Sequence, residues 1–168
     1  MAADAALDIL KHFLASAKDP SAEGIDKVIS QAIADVHERL LAAKCTSGAA
    51  LVICCINTMR EEISVWNLGD TMALLISDSD HVMLSTDHRV ERNHMEIERI
   101  TRCDGTLARE RLADGTFRGP LRAFPGGLTI ARSIGDAECA SIVAPTRSHC
   151  RLRSALDFAS VLSSGPSY

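Results

Sequence analysis

Two apolar runs separated by a short polar segment constrain the fold of this chain more than any other part of its sequence. The first run extends from Gly48 to Ile56 and the second from Ile63 to Leu68, and both contain several β-branched residues. The polar residues 57–62 between them have the composition of a turn, so the pattern predicts a hairpin of two strands. Because the apolar residues alternate little with polar ones, we expect strands that are buried on both faces or that lie in the core of a sandwich.

A carboxylate, Asp70, stands where the second strand ends, directly after Gly69. Hard divalent cations prefer oxygen ligands, so a carboxylate at the rim of a strand is a candidate metal ligand. Aspartate is also common in turns, where its role is purely structural. The two residues by themselves leave both interpretations open.

The overall composition excludes several classes of function. The chain has 168 residues, a length typical of one domain, and its net charge of −4 gives no basis for binding nucleic acid. Only 4% of the residues are aromatic, which argues against a stacking surface for single strands. No apolar segment reaches the length that spans a bilayer, and no signal peptide is recognisable. We therefore expect no membrane insertion and an intracellular, cytoplasmic location.

The cysteines show no spacing typical of a zinc site, a redox pair or a catalytic thiol. Two of them, Cys54 and Cys55, lie within the first apolar run, where small buried thiols are common. This usage agrees with a reducing compartment, in which disulfides are rare. The six cysteines are Cys45, Cys54, Cys55, Cys103, Cys139 and Cys150.

Three segments place apolar side chains at the spacing of an amphipathic helix: residues 3–16, 23–43 and 91–102. The second helix begins shortly after Ser21, a residue that is favourable at helix starts. The third is closed by Asp104 and Gly105, as a helix that ends on a glycine. The charged side chains between Glu91 and Arg99 are interpreted as a solvated helix face.

Two further hairpins are predicted after the first one. Strands at 72–76 and 82–84 flank an Asp/Ser turn, and strands at 107–112 and 116–118 flank a turn that contains Asp114. Helices and antiparallel hairpins in this order are typical of a layered α+β domain.

The apolar pattern weakens towards the end of the chain. We interpret residues 1–168 as one domain, in which residues 1–139 form the recognisable core and residues 140–168 a degenerate tail. The tail has scattered apolar residues among Ser, Arg and Pro, and its pattern predicts no particular element.

Four segments, in the same order along the chain, resemble motifs of the metal-dependent type 2C Ser/Thr protein phosphatases. They are Ser47-Gly48-Ala49-Ala50-Leu51-Val52, Trp66-Asn67-Leu68-Gly69-Asp70, the stretch from Thr86-Asp87-His88-Arg89 through Glu96-Ile97-Glu98-Arg99-Ile100 to Asp104-Gly105, and Gly127 to Asp136. Together they extend over about half of the chain. The resemblance implies part of a four-layer α-β-β-α sandwich, with mostly antiparallel sheets flanked by helix pairs.

In that family, two Mg²⁺ or Mn²⁺ ions held by aspartates activate a water that attacks the phosphate. The resemblance places Asp70 at an accessory metal position, whereas the first and the last of the motifs that carry the family's other metal aspartates have no counterpart in this sequence. In the tail, Ser164 before Gly165 stands where the family has a metal aspartate. We therefore expect Asp70 to be a vestigial metal ligand and no cofactor to be bound, with Mg or Mn required only if the chain is active.

Several other polar residues have two interpretations each. His88 beside Asp87 fits a base and its orienting group, or a solvated loop. Arg132 is expected to pair with Asp70 or Asp136 at the rim of the sheet, and Asp136 is expected to be a turn residue. A basic cluster that could bind an acidic partner, or be scattered over the surface, consists of Arg109, Arg111, Arg118 and Arg122.

Three functions are compatible with these features. The first is a catalytically inactive phosphatase-like domain that serves as a scaffold or assembly subunit, with a protein partner covering an exposed sheet edge. The second is a fragment or isoform of an active Mg- or Mn-dependent protein Ser/Thr phosphatase. The third is a phosphopeptide-binding module that uses the arginines. The missing carboxylates favour the first.

Overall fold

The computed structural model describes residues 17–77 and 80–153, together with Asp4, Leu7, Lys11 and Ala15. These four N-terminal positions are helical, as predicted for the first helix. The other residues of that predicted helix, and the tail beyond Arg153 with Ser164 and Gly165, lie outside the described residues. Within the described part of the chain, no helix combines the length and the apolar character needed to cross a membrane.

The elements follow one another as an α+β chain. The helices are α1 (Ala22–Ala42) and α2 (His94–Arg102), with short 3-10 turns at Val90–Arg92 and Ala137–Cys139. The strands are β1 (Gly48–Ala49), β2 (Leu51–Asn57), β3 (Glu62–Leu68), β4 (Leu74–Ile76), β5 (His81–Met83), β6 (Thr106–Arg111), β7 (Phe117–Phe124), β8 (Ile134–Gly135) and β9 (Ser148–Leu152). The five hydrogen-bonded pairs that these strands form are all antiparallel.

Helix α1 confirms the longest predicted helix. The Ser21 hydroxyl accepts a hydrogen bond from the Gly24 amide at 3.0 Å, which satisfies one donor of the first turn. Ile29 and Val36, on its apolar face, are fully buried and belong to one core cluster with Trp66 of β3. The helix therefore covers one face of the sheet that contains β3.

That sheet has the strand order β2-β3-β9. The predicted hairpin is confirmed, since β2 and β3 pair from Leu51 opposite Leu68 to Asn57 opposite Glu62. On the other side of β3 lies β9, a strand in the tail where the sequence predicted no element. Having a strand on each side and packing on both faces, β3 is buried as expected.

Burial on both faces, one of the two expectations for these strands, is wrong for β2. Its odd-numbered residues face α1, and its even-numbered residues Val52, Cys54 and Ile56 are exposed. The position of hairpin β4–β5, which forms a second layer on this sheet, explains the asymmetry. Hairpin β4–β5 confirms the second predicted hairpin and packs Val82 against Val65, but it leaves the outer face of β2 uncovered.

A second core cluster joins the remaining elements. Val90, Ile100 of α2, Ala123 of β7 and Ala131 are all buried together there. The third predicted hairpin is confirmed as β6–β7, with an irregular register between Ala108 and Glu110. The third predicted helix begins at His94, three residues later than expected, because residues 90–92 form a 3-10 turn.

Candidate functional site at the end of strand β3

The site is organised around the turn that follows β3. Gly69 has a φ of +91°, and a Cβ at this position would lie 2.6 Å from the Ala50 Cβ. Only glycine therefore fits between β3 and the segment before β2 without strain. The turn leaves Asp70 exposed at the rim of the sheet, where its carboxylate faces solvent.

Asn67 connects this turn to the loop that follows β5. Its side-chain amide donates to the Thr86 carbonyl at 2.7 Å, and its side-chain oxygen accepts from the Thr86 amide at 2.9 Å. Because the side chain of Asn67 is buried and both of its polar ends are satisfied, it fixes the loop relative to the strand end.

The prediction of a solvated loop at His88 is wrong, because this side chain is fully buried. Its Nδ1 lies 3.1 Å from the Gly69 amide nitrogen and 3.0 Å from the Gly69 carbonyl oxygen, and its Nε2 lies 2.8 Å from the Ser148 hydroxyl. Because a hydroxyl can donate or accept, either neutral tautomer makes one hydrogen bond at each ring nitrogen. His88 thus joins the end of β3 to the start of β9, and is placed for support rather than for base catalysis.

Burial lowers the pKa of His88 and of two other histidines, His37 and His149, below the ordinary value of about 6.5. Below pH 6.5 the unfolded chain binds protons that the folded chain does not, so the folded state loses stability as the pH falls. We expect the urea midpoint, followed by Trp66 fluorescence, to be lower at pH 5.5 than at pH 7.5. His88→Gln is expected to weaken this pH dependence, and a midpoint that is equal at the two pH values would contradict it.

Asp87 does not orient His88 but pairs with Arg89. The Arg89 Nε lies 3.0 Å from both carboxylate oxygens and its Nη2 lies 2.7 Å from Oδ2. Although partial burial opposes ionisation, these hydrogen bonds hold the pKa of Asp87 below its usual range. The Asp87–Arg89 pair therefore stabilises this loop locally, and the Asp87 carboxylate is not the partner of His88.

The expected pairing of Arg132 with Asp70 or Asp136 is wrong, and so is the interpretation of Glu96 as part of a solvated face. Glu96 is 1% exposed and binds two arginines, with the Arg132 Nε at 2.6 Å and the Arg99 Nε at 2.8 Å. Burial opposes ionisation of Glu96, but the two guanidinium groups hold its pKa below the ordinary value. Glu96 therefore links α2 to the segment after β7.

A signal for this network was present in the sequence. Glu96 stands four residues before the buried Ile100, and residues four apart lie on the same face of a helix. A carboxylate on the buried face of a helix requires a cationic partner. Arg99 extends the link, since its other nitrogens donate to the carbonyls of Ile142 at 2.7 Å and Ala131 at 2.8 Å.

Asp136 is a turn residue, as predicted, with a left-handed φ of 53°. Its side chain is buried and accepts a short hydrogen bond from the Ser133 hydroxyl. A Cβ on Gly48 would overlap this carboxylate, so a glycine is required where β1 passes it. The carboxylate is thus held inside the fold and does not reach Asp70 at the rim.

The basic cluster is partly occupied by internal contacts. Arg109 pairs with Glu91 and donates to the Gly119 carbonyl, and Arg122 donates to the Gly127 carbonyl at 2.7 Å. These contacts brace hairpin β6–β7 rather than present a uniform cationic surface. The phosphopeptide-binding function inferred from these arginines stays a prediction.

The metal-binding side chains among the described residues decide whether a pair of Mg²⁺ or Mn²⁺ ions fits this chain. Such a centre needs several carboxylates from different elements at one point. Among the described residues, no three side chains of His, Cys, Asp or Glu are grouped as metal ligands. Asp70 belongs to no such group, and Glu96, Glu62 and Asp26 are paired with arginines. This donor set does not fit a two-metal centre, and the vestigial role of Asp70 stays a prediction.

The antiparallel layers, the helix over β3 and the motifs around Asp70 define an α+β domain of the phosphatase type. The chain belongs to the Protein phosphatase 2C family, whose sequence profile matches residues 3–162. This confirms the resemblance inferred from the four segments. It also confirms the fold class, an α+β fold with mostly antiparallel sheets.

The relatives include plant proteins. The chain is 38% identical over 101 residues to "Probable protein phosphatase 2C 5" of Arabidopsis thaliana, covering 60% of this chain and 23% of that protein. It is 36% identical over 101 residues to "Probable protein phosphatase 2C 69" of Oryza sativa subsp. japonica, covering 60% of this chain and 24% of that protein. The chain thus spans about a quarter of the length of these curated relatives.

Solved structures support the fold. A C. elegans sex determining protein aligns with a TM-score of 0.69 and 19% identity, covering 88% of this chain and 35% of that one. A phosphatase from Toxoplasma gondii aligns with a TM-score of 0.57 and 16% identity, covering 86% of this chain and 53% of that one. In both cases the similarity extends over most of the chain but only part of the larger protein.

Proposed function

We propose that this chain is a catalytically inactive type 2C phosphatase-like domain that serves as a structural or scaffolding subunit of a larger assembly. The observation that carries the proposal is that, in the described part of the chain, Asp70 belongs to no group of three or more His, Cys, Asp or Glu side chains that could hold a metal ion. Phosphate hydrolysis by two metal ions requires ligands that converge from several elements. Here Asp87 and Glu96, the carboxylates on the segments next to His88, pair with arginines instead.

The contacts around this strand end favour a structural role. Asn67, His88 and Glu96 each connect segments that are distant in sequence, and all three side chains are buried. Buried polar groups that are fully satisfied make a fold rigid and unique. A rigid frame with an exposed apolar strand face is suited to presenting a surface to another protein.

The proposal includes a protein partner that covers the open side of β2. Val52 and Ile56 are 37% and 66% exposed, although both are apolar strand residues. An apolar edge strand of this kind favours association unless it is covered.

The proposal also includes a reducing, cytoplasmic location. All six cysteines are free, which supports it. Fluorescence microscopy of the tagged chain tests that location.

A second candidate is part of an active Mg- or Mn-dependent protein Ser/Thr phosphatase. Two observations favour it: the matched relatives are named protein phosphatases, and the chain covers only 23% and 24% of their lengths. In that case the other metal ligands lie on sequence beyond this chain. Asp70, exposed at the rim, would then complete a site that other segments supply.

Hydrolysis of p-nitrophenyl phosphate in the presence of Mn²⁺ tests whether the chain is inactive on its own. We expect no Mn²⁺-dependent turnover by the purified chain above that of its Asp70→Asn variant, and no heat of Mn²⁺ binding by calorimetry. The control variant is Glu98→Gln, which removes an exposed carboxylate of α2. Turnover that is lost in Asp70→Asn and retained in Glu98→Gln would contradict the inactive assignment.

A further inference from the structure

We propose that strand β9 is a pH-sensitive latch, whose release from β3 and α1 is promoted by protonation of His149. Release opens the edge of β3 that β9 occupies, and it does not depend on whether the domain is catalytic. The inference rests on the charge pattern of β9, on the surroundings of His149 and on the separation of β9 from two of the three core clusters.

The two faces of β9 are chemically different. His149 lies opposite Trp66 of β3, and residues directly opposite in an antiparallel pair point to the same face of the sheet. This is the face on which Trp66 packs against α1. On the other face, Leu152 belongs to the cluster that contains Val82, and Cys150 packs against that cluster. Apolar packing therefore holds one face of β9, and polar contacts hold the other.

The polar contacts join three arginines of the segment 147–153 to three carboxylates, two on α1 and one on β3. They are Arg147 with Asp26, Arg151 with Glu23 at 2.5 Å and with Glu62 at 2.9 Å, and Arg153 with Glu62 at 3.0 Å. Within this set, the positive and negative charges balance while His149 is neutral. Partly buried charges of this kind depend on such a balance.

His149 lies among these ion pairs. Its ring stacks on that of Trp66 with an interplanar angle of 5°, and its side chain is 26% exposed. Its Nδ1 is 3.8 Å from the Asp26 Oδ1, which is too long for a hydrogen bond. That oxygen already accepts from the Trp66 Nε1 at 2.6 Å and from Arg147. A proton on His149 therefore adds a positive charge to a set whose charges already balance.

The surroundings of His149 disfavour its protonated form while β9 is docked. Partial burial, with the positive charges of Arg147 and Arg151, lowers the pKa of His149 below the ordinary value of 6.5, although Asp26, Glu62 and the stacked indole favour the cation. In the released strand the imidazole is solvated and has its ordinary pKa of about 6.5. The released state therefore binds the proton more tightly, so release is favoured as the pH falls below that value.

The position of β9 in the fold allows it to leave without global unfolding. It is joined to β3 by five residue pairs, and Leu152 belongs to the third core cluster. Among the described residues, the cluster of Ile29 and Trp66 contains no residue of β9, and neither does the cluster of Val90 and Ile100. Elements with few buried apolar contacts open at a lower free energy than the whole domain.

Hydrogen exchange of the whole chain at pH 7.5 and pH 5.5 tests the latch, with each rate corrected for the intrinsic pH dependence of exchange. We expect residues 148–152 to be less protected than the centre of α1 at both pH values, because β9 opens locally. We expect their protection to be up to about tenfold lower at pH 5.5, the largest change that one group with a free pKa of about 6.5 can produce over this interval.

His149→Phe keeps an aromatic ring beside Trp66 but cannot take up a proton. In this variant, the pH response of residues 148–152 is expected to disappear, and His149→Gln provides a second variant that does not titrate. The control is His81→Gln, at an exposed histidine of β5, which is expected to retain the wild-type response.

Three results would overturn the latch. The first is equal protection of residues 148–152 and the centre of α1, which would show that β9 leaves only when the whole domain unfolds. The second is a wild-type protection of residues 148–152 that is the same at the two pH values. The third is a pH response that His149→Phe and His149→Gln leave unchanged, which would place the titration on another group, such as His88 beside Ser148.

Discussion

Replacing Glu96 by glutamine is expected to lower the free energy of unfolding by about 3 kcal/mol, because it leaves two arginines beside a buried, uncharged side chain. The carboxylate binds Arg99 at 2.8 Å and Arg132 at 2.5 Å, and its side chain is 2% exposed. The two arginine side chains are 25% and 22% exposed, which keeps the expected loss at the low end of the range for buried pairs. Urea unfolding followed by fluorescence measures it.

The matched control for this change is Glu98→Gln on the same helix. Glu98 is exposed, so its replacement is expected to change the free energy of unfolding by less than about 0.5 kcal/mol. The Glu96 contribution is also pH-dependent: because the folded state lowers the pKa of this carboxyl, the stabilisation is present above the ordinary value and is lost as the pH falls through the folded value. Equal losses for Glu96→Gln and Glu98→Gln would show that the network contributes nothing.

The second large effect is expected at Trp66. Truncation to alanine removes a side chain that is 1% exposed and belongs to the cluster between α1 and β3. Trp→Ala changes in a core cost about 3–5 kcal/mol, since the cavity adds to the lost burial. The indole nitrogen also donates to Asp26 at 2.6 Å, and the ring stacks on His149 with centroids 4.7 Å apart. Circular dichroism measures the unfolding, because the chain has a single tryptophan.

Trp66→Phe separates packing from hydrogen bonding. Phenylalanine keeps most of the buried ring but loses the donor to Asp26, which retains its pair with Arg147. We expect a loss of about 2 kcal/mol, in the range for hydrogen bonds to charged groups. If phenylalanine and alanine were equally costly, the polar contacts of Trp66 rather than its volume would dominate this part of the core.

The second layer decided which strand faces are exposed. The apolar runs predicted the β2–β3 hairpin and its pairing, yet β3 is buried on both faces and β2 on only one. The difference arises because hairpin β4–β5 packs against β3 and β9 but not against β2, and because strand β9, from a distant part of the chain, pairs with β3. An apolar run indicates that burial of its side chains is favourable. It does not indicate whether another layer packs against them.

The same distinction applies to the polar residues. His88 and Glu96 were interpreted as solvated because their neighbours in sequence are polar, and both are buried because Ser148 and Arg132 reach them from 60 and 36 residues away. The spacing of Glu96 and Ile100 on one helix face indicates that Glu96 is buried, but no local pattern identifies Ser148 or Arg132 as the partners. Asp70, in contrast, follows directly from the strand end and occupies the exposed rim that its position predicted.

The sequence alone determined the secondary structure of α1 and of the three hairpins, and the four motifs that define the family, because these depend on local spacing and on short stretches of residues. Tertiary structure alone decided which polar side chains are buried and paired, that β9 pairs with β3, and that, among the residues the structure describes, nothing covers one face of β2. Those outcomes depend on which distant segments come into contact, and burial and pairing energies are set by these contacts rather than by neighbours along the chain.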